Sequence, residues 1–241
     1  MFPVINIGPL ALQAPGLLLL IGIWLGLGQA ERSAARHQVD ANQLYNLAFV
    51  TFLGAVSGAR LAFIAQYPGA FRDLGSFFSL SPQLLDIWGG AAGGLLAAVI
   101  YANKKRLPLW PTLDALTPAL AIAFIFGHIA NLASGAAFGS SSTLPWSIEL
   151  WGEQRHPSQV YEAMAAFAIW VGLQLKTRLP SLPAGAAFLS FAAWSAGARL
   201  FLEAFRGDSF LLPGGIRLAQ VAAWLLLAGC LWLYHLRTQQ Q

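Results

Sequence analysis

Charged residues are scarce in this sequence of 241 residues: they make up 10% of it, whereas hydrophobic residues make up 57%. Together with a mean hydropathy of +0.60, this composition excludes an ordinary soluble domain. The alternation of apolar and polar residues that a porin strand requires is lacking as well, and the apolar stretches have the length of membrane helices. The sequence therefore predicts an all-α fold, a polytopic transmembrane helical bundle that forms one integral-membrane domain over residues 1–241.

Cysteine is nearly absent: Cys230 is the only one, so the chain can form no internal disulfide. The net charge of +4 is spread over short polar segments, and no basic run is long enough to bind nucleic acid. The sequence thus indicates no nucleic-acid partner, and it indicates neither a metal nor a cofactor.

Seven apolar stretches have the length expected of membrane-spanning helices. No basic residue precedes the first stretch and no small-residue cleavage site follows it, so we expect it to be retained as a span rather than removed as a signal peptide. A polar loop from Glu31 to Asp40 is expected to separate the first two spans. The predicted spans are, to within a few residues, 10–27, 44–65, 87–102, 114–132, 157–176, 184–205 and 218–236.

The basic residues of the loops predict the orientation of the bundle. With the N-terminus outside, eight basic residues lie in the inner loops and tail, and four lie in the outer loops. Because cytoplasmic loops carry the excess of lysine and arginine, this asymmetry favours an outer N-terminus and a cytoplasmic C-terminus. The inner set is Arg32, Arg36, Lys104, Lys105, Arg106, Lys176, Arg178 and Arg237, and the outer set is Arg72, Arg155, Arg206 and Arg217.

Charged residues near the outer end of the sixth span point to a ligand. Arg199, Glu203 and Arg206 are spaced four and three residues apart, which predicts that they share one helix face. A central arginine costs roughly 2.5 to 3.5 kcal/mol to insert, so it is normally paired and faces a cavity. A structural Arg–Glu pair would explain Arg199 and Glu203 alone, but Arg206 and Arg60 add cations at the same predicted depth. This cation excess predicts an anionic ligand.

The densest polar run, Arg155 to Glu162, stands directly before the apolar part of the fifth span. Pro157 fits the first turn of a helix, and Gln159 is expected to turn back to the free amides at that end. The alternative interpretation is a capped helix start whose polar groups satisfy one another.

The third and fourth spans add polar or small residues in the outer half of the membrane. His128 and Asn131 are three residues apart and therefore share a helix face, although a lone histidine in such a place is usually a packing residue. Gly93 and Gly94 permit either close helix packing or the approach of a head group to the backbone. Together these positions predict a cationic, polar cavity that opens to the outer leaflet and suits an anionic lipid head group.

Several motifs resemble, in the same order, those of one family. The stretch Arg155 to Glu162 resembles the signature of the prolipoprotein diacylglyceryl transferases, bacterial enzymes that move diacylglycerol from phosphatidylglycerol to the cysteine of a lipoprotein precursor. Gly58 to Leu61 is similar to the family's second-span motif, and Arg199 to Arg206 is similar to its sixth-span run. The resemblance covers most of the chain and implies a multi-pass protein of the bacterial cytoplasmic membrane.

The resemblance also implies roles for individual residues. His128 stands where the family has an arginine, and Ala92 stands where it has the histidine usually proposed as catalytic. The implied catalytic residues are His128, Glu162 and Arg199, and the implied head-group residues are Arg60, Asn131, His156, Gln159, Tyr161, Glu203, Arg206, Gly93 and Gly94.

The family's reaction needs a base for the cysteine thiol and cations for the phosphate of the lipid. Arg199 and Arg60 would hold the phosphate, and His128 is the favoured base, with Glu162 and His156 as alternatives. We therefore expect a divergent transferase whose partners are phosphatidylglycerol and lipoprotein precursors. Because several of the family's polar residues are replaced, the alternative is a catalytically inactive member that acts as a lipid-binding or structural subunit of a membrane complex.

Overall fold

The structure is a computed structural model that describes residues 4–7, 10–70, 85–176 and 182–239. Seven α-helices make up most of the described chain, which confirms the predicted all-α fold. They are α1 (Ala14–Arg36), α2 (Ala41–Gln66), α3 (Ile87–Lys104), α4 (Leu109–Ser134), α5 (Ser158–Lys176), α6 (Ala186–Leu202) and α7 (Leu218–Thr238). Two short hairpins accompany them: β1 (Val4–Ile7) pairs with β2 (Leu10–Gln13), and β3 (Ile148–Leu150) pairs with β4 (Glu153–Arg155).

Four of these helices, α1, α2, α4 and α7, are long and apolar enough to cross a membrane. All seven helices coincide with the predicted spans to within a few residues, except that α1 extends well beyond the end of the first one. The number of spans that cross the membrane and the outer position of the N-terminus stay predictions.

Two predicted boundaries are wrong. The polar loop expected from Glu31 begins only after Arg36, because the Ala-, Glu- and Arg-rich segment at the end of α1 consists mainly of good helix formers and continues the helix. At the other end of the chain, α6 stops at Leu202, and a short 3-10 helix, Glu203–Phe205, follows. Arg206 therefore lies on extended backbone and not on the α-helical face that its spacing predicts.

The contacts of the chain divide it into two compact units, a first unit of Met1–His37 with Leu113–Gln241 and a second unit of Gln38–Thr112. In the second unit, α2 and α3 approach so closely that a Cβ on Gly58 or Gly93 would lie 2.8 Å from the Cα of the other. Asp86 caps α3 by accepting the backbone N–H of Gly89 at 2.6 Å. Close helix packing thus accounts for the glycine pairs. The single integral-membrane domain stays a prediction.

In the first unit, α1 packs on α4 through small residues, since a Cβ on Gly26 would lie 3.2 Å from the carbonyl oxygen of Ala119. Lys176, at the end of α5, joins the next two helices by donating to Ser190 Oγ on α6 and to Tyr234 Oη on α7. Asp114 of α4 is buried and accepts backbone N–H groups at the start of α6. These contacts tie together the helices that carry the polar residues.

The loop between α4 and α5 forms a β-hairpin with additional β-bridges. The β3–β4 hairpin turns at Trp151 and Gly152, whose φ values of 58° and 77° match a type I′ turn. Ser141 pairs with Arg155 of β4, and Gly139 pairs with Arg206. This pairing brings the start of α5 and the segment after α6 to the same place.

Candidate active site

Glu162 is the centre of the polar residues in the first unit. It lies in the first turns of α5, and its side chain is only 4% exposed. Its Oε1 accepts hydrogen bonds from Arg199 Nη1 at 2.9 Å and from Arg206 Nη1 at 3.0 Å. A buried carboxylate needs such cationic partners because desolvation would otherwise disfavour its charge.

The second oxygen of Glu162 faces His128 of α4. His128 Nδ1 lies 3.0 Å from Glu162 Oε2, which is within ion-pair distance but lacks the alignment of a hydrogen bond. The His128 side chain remains 22% exposed. The contact directs Nδ1 toward the carboxylate, which leaves Nε2 on the other side of the ring.

Arg199 is held by two carboxylates and still presents a free surface. Its Nη2 lies 2.7 Å from Oε2 of Glu203, one turn further along, in addition to the bond from Nη1 to Glu162. The side chain of Arg199 is 36% exposed, whereas Glu203 is fully buried and has no hydrogen-bond partner for its carboxylate in the described residues. The exposure of Arg199 therefore leaves room for an anion, while the buried carboxylate of Glu203 holds its guanidinium.

Two residues that the sequence analysis missed complete the network. Asp208 accepts from Nε and Nη2 of Arg206 at 2.8 and 2.7 Å. Arg217 donates to the backbone oxygens of Glu203 and Arg206 at 2.7 and 2.8 Å, and it thereby fixes the segment after α6. The spacing of two residues between Arg206 and Asp208 could have suggested the pair, but nothing in a sequence marks a side chain that binds carbonyl groups.

The cation excess predicted for this region included Arg60 of the second unit and stays a prediction; within the first unit, the described charges of the network are balanced. Three arginines, Arg199, Arg206 and Arg217, stand beside three carboxylates, Glu162, Glu203 and Asp208. Exposure, rather than surplus charge, is what distinguishes Arg199 as a place for an anion.

Gln159 has a structural partner that differs from the predicted one. It does not turn back to the amides of its own helix; instead its Nε2 donates to the backbone oxygen of Ala136 at 2.8 Å. The neighbouring Ser158 donates to the oxygen of Ala137 at 2.8 Å. Both side chains are fully buried, so they hold the loop after α4 against the start of α5.

His156 and Tyr161 belong to a cluster of aromatic rings that meet edge to face. The rings of His156 and Tyr161 are 6.2 Å apart, and both contact Phe205, at 5.3 and 5.7 Å. Tyr161 Oη accepts a hydrogen bond from Trp146 Nε1 at 2.8 Å. Phe205 directly precedes Arg206, so this aromatic cluster joins the two segments that carry the charges.

The remaining predicted residues lie elsewhere. Asn131 follows His128 by three residues on α4 and is half-buried. Arg60, Gly93 and Gly94 belong to the second unit. Their contact with a lipid head group stays a prediction, as do the roles of the other residues.

The arrangement defines a class of protein, a multi-pass helical membrane protein with a buried carboxylate that joins an imidazole to exposed and buried guanidinium groups. A family model described as prolipoprotein diacylglyceryl transferase matches residues 3–236. The chain belongs to this family, which confirms the resemblance seen in the motifs and the bacterial cytoplasmic-membrane location.

Individual relatives agree with this assignment. The phosphatidylglycerol–prolipoprotein diacylglyceryl transferase of Synechococcus elongatus is 30% identical to the chain, and the alignment covers 97% of the chain and 87% of the relative. The enzyme of the same name from Trichormus variabilis is 30% identical over 95% of the chain and 88% of the relative. That of Rhizobium meliloti is 33% identical over 85% and 79%.

Proposed function

We propose that this protein transfers the diacylglyceryl group of phosphatidylglycerol to the thiol of the lipobox cysteine in lipoprotein precursors. The thiolate sulfur attacks the lipid carbon that carries the phosphate ester, a C–S bond forms, and the C–O bond breaks. The electron pair of that bond leaves with glycerol phosphate, and the thiol proton passes to a base. The names of the relatives support this reaction, since each is called a phosphatidylglycerol–prolipoprotein diacylglyceryl transferase.

The observation that carries the proposal is the position of Glu162 between His128 and the two arginines. A carboxylate on Nδ1 orients the imidazole and stabilises the imidazolium that forms when Nε2 accepts a proton. His128 would in this way supply the base at a position where the family has an arginine. Ala92 cannot take that role, because it carries no titratable group.

Arg199 supplies the second requirement of the reaction, a cation for the phosphate. Its side chain is 36% exposed, a guanidinium suits a phosphate oxygen, and its contacts with Glu162 and Glu203 hold it in one orientation before the lipid arrives. Such preorganised charge stabilises the negative charge that develops on the leaving group.

The test combines the purified protein with phosphatidylglycerol and a lipobox peptide, and mass spectrometry detects the diacylglyceryl peptide. We expect product from the parent and a loss of roughly a hundredfold to ten-thousandfold in rate for His128→Gln. His235→Gln is the matched control, because His235 is exposed near the end of α7, where its ring contacts Gln239 and its backbone oxygen accepts from Thr238.

Two results would contradict the proposal in different ways. Equal turnover of His128→Gln and the parent would make His128 a packing residue. A parent that binds phosphatidylglycerol but yields no product would leave the alternative function, a non-catalytic lipid-binding subunit.

A further inference from the structure

A cleft of about 710 Å³ lies beside the β3–β4 hairpin and is not used by the proposed chemistry. Hydroxyl groups of Ser141, Ser142 and Thr143 line it together with Glu153, Gln154 and His156. This lining combines hydroxyl, amide and carboxylate groups with apolar surface, to which Leu144 contributes, so it suits a ligand that carries both hydrogen-bonding groups and apolar side chains, as a polypeptide does.

Hydrogen-bonding groups in the cleft are free for such a ligand. The side chains of Thr143 and Gln154 are exposed and make no hydrogen bond to the part of the chain that the structure describes. The backbone N–H and C=O of Thr143 are likewise unused by the described residues. A bound polypeptide could pair with these groups, since its own backbone offers alternating N–H donors and C=O acceptors.

The charge of the cleft disfavours a phosphate. Glu153 is 55% exposed at its side chain and gives the cleft an acidic group. The neighbouring cation, Arg155, is engaged: its Nη2 lies 2.6 Å from Glu153 Oε2, and its Nη1 donates to the oxygen of Gly139 at 3.1 Å. Because Ser141 Oγ also donates to Glu153 Oε2, the charges of Glu153 and Arg155 are engaged with each other and with the loop, and this pair offers no unpaired cation to the phosphate of phosphatidylglycerol.

The cleft is connected to the candidate active site through His156. This residue lines the cleft, and its ring contacts those of Tyr161 and Phe205. Tyr161 and Phe205 directly precede Glu162 and Arg206 in the chain. A ligand in the cleft would thus contact His156, whose two ring neighbours directly precede the charged residues in the chain.

We infer that this cleft binds the acceptor polypeptide, through residues that flank the cysteine that receives the lipid. The inference rests on the proposed function, and it adds a second binding site to it: the network around Glu162 takes the lipid, and the hairpin cleft takes the protein substrate.

The test measures binding directly, so that it does not depend on turnover. A fluorescently labelled lipobox peptide is titrated against the protein in lipid nanodiscs, and native mass spectrometry measures bound phosphatidylglycerol in parallel. The double variant Thr143→Val with Gln154→Leu removes the free polar groups with little change in size. We expect its peptide affinity to fall on the order of tenfold, as the loss of two hydrogen bonds implies, with phosphatidylglycerol binding unchanged.

Thr238→Val with Gln239→Leu is the matched control, since it makes the same changes at exposed positions at the end of α7. Unchanged peptide affinity in the cleft variant would overturn the inference, and so would a parent that binds no peptide. A parallel loss of phosphatidylglycerol would also overturn it, because the cleft would then belong to the lipid. Peptide binding that depends on the cleft, without any product in the transfer assay, would support this inference and contradict the proposed function alone.

Discussion

Asp114 and Glu162 are two carboxylates of the same unit, equally buried at 3% and 4% exposure, yet their partners differ in kind. Asp114 accepts two backbone N–H groups at the start of α6, from Gly185 at 2.6 Å and from Phe188 at 2.9 Å. Glu162 faces three side chains that carry or can acquire positive charge, those of Arg199, Arg206 and His128. Burial alone therefore does not separate a structural carboxylate from a candidate catalytic one.

The difference lies in what each set of partners can do next. Backbone amides are fixed, and a negative charge at a helix N-terminus chiefly stabilises that terminus. Arg199 and His128 keep exposed surface after they have bound Glu162, so each can still meet a substrate. We therefore expect changes at Glu162 to lower mainly the activity and changes at Asp114 to lower mainly the stability.

Glu162→Gln should have the largest effect of any change considered. It keeps the size of the side chain but removes the charge that holds His128 and both arginines, so we expect turnover per folded molecule to fall by at least about a hundredfold. The transfer assay measures the rate, and the fraction of folded protein is determined separately, because breaking a buried pair also destabilises. Full activity in the folded fraction would contradict a catalytic role for the network.

Arg199→Ala should weaken phosphatidylglycerol binding by roughly tenfold to a hundredfold, the value of one or two charge-assisted hydrogen bonds to phosphate. Arg32→Ala is the control, since Arg32 is an exposed residue of α1 in the same unit. Native mass spectrometry compares the bound lipid. A fall in thermal stability of Arg199→Ala with lipid affinity retained would reduce Arg199 to a structural partner of Glu162 and Glu203.

Asp114→Asn should lower the free energy of unfolding by about 1 to 2 kcal/mol, because it replaces a charged cap of α6 by a neutral one. Turnover per folded molecule should not change. Unfolding followed in detergent gives the first quantity, and the transfer assay on the folded fraction gives the second. Lost activity at full stability would erase the distinction between the two carboxylates.

His37, which follows α1 and interacts with the charge of Asp114, should make the free energy of unfolding depend slightly on pH. Burial lowers the pKa of His37 below its ordinary value of 6.5, while Asp114 acts to raise that pKa and Arg36 to lower it. The folded protein thus binds the proton less tightly than the unfolded chain, so stability should fall as the pH drops through about 6.5. His37→Gln should remove this dependence, which unfolding experiments above and below that pH would show; an unaltered pH profile would contradict it.

The sequence was sufficient to predict the helices because each needs only a long apolar run, and every predicted span contains a helix. It also predicted that Arg199 and Glu203 share a face, since a spacing of four residues is a local property, and they form an ion pair at 2.7 Å. The same reasoning was wrong for Arg206, because the α-helix ends at Leu202. A residue spacing predicts a shared helix face only where the helix continues through all of the residues concerned.

Residue spacing could not predict hydrogen bonds and ion pairs between residues that lie far apart in the chain. Gln159 bonds to the backbone of Ala136, and Arg217 bonds to the backbone of Glu203, through contacts that depend on how the loops fold. His128 and Glu162 were each singled out as candidates, but periodicity within α4 or α5 could not show that the two side chains meet at 3.0 Å. Only the packing of these helices reveals the pair.

A double-mutant cycle tests whether Glu162 acts through His128. The rates of His128→Gln, Glu162→Gln and the double variant are compared with that of the parent in the transfer assay. If the two residues work as a unit, the double variant should be no slower than the slower single variant, because removing either one already disables the base. Losses that multiply in the double variant would show that the two residues act independently and would contradict the account.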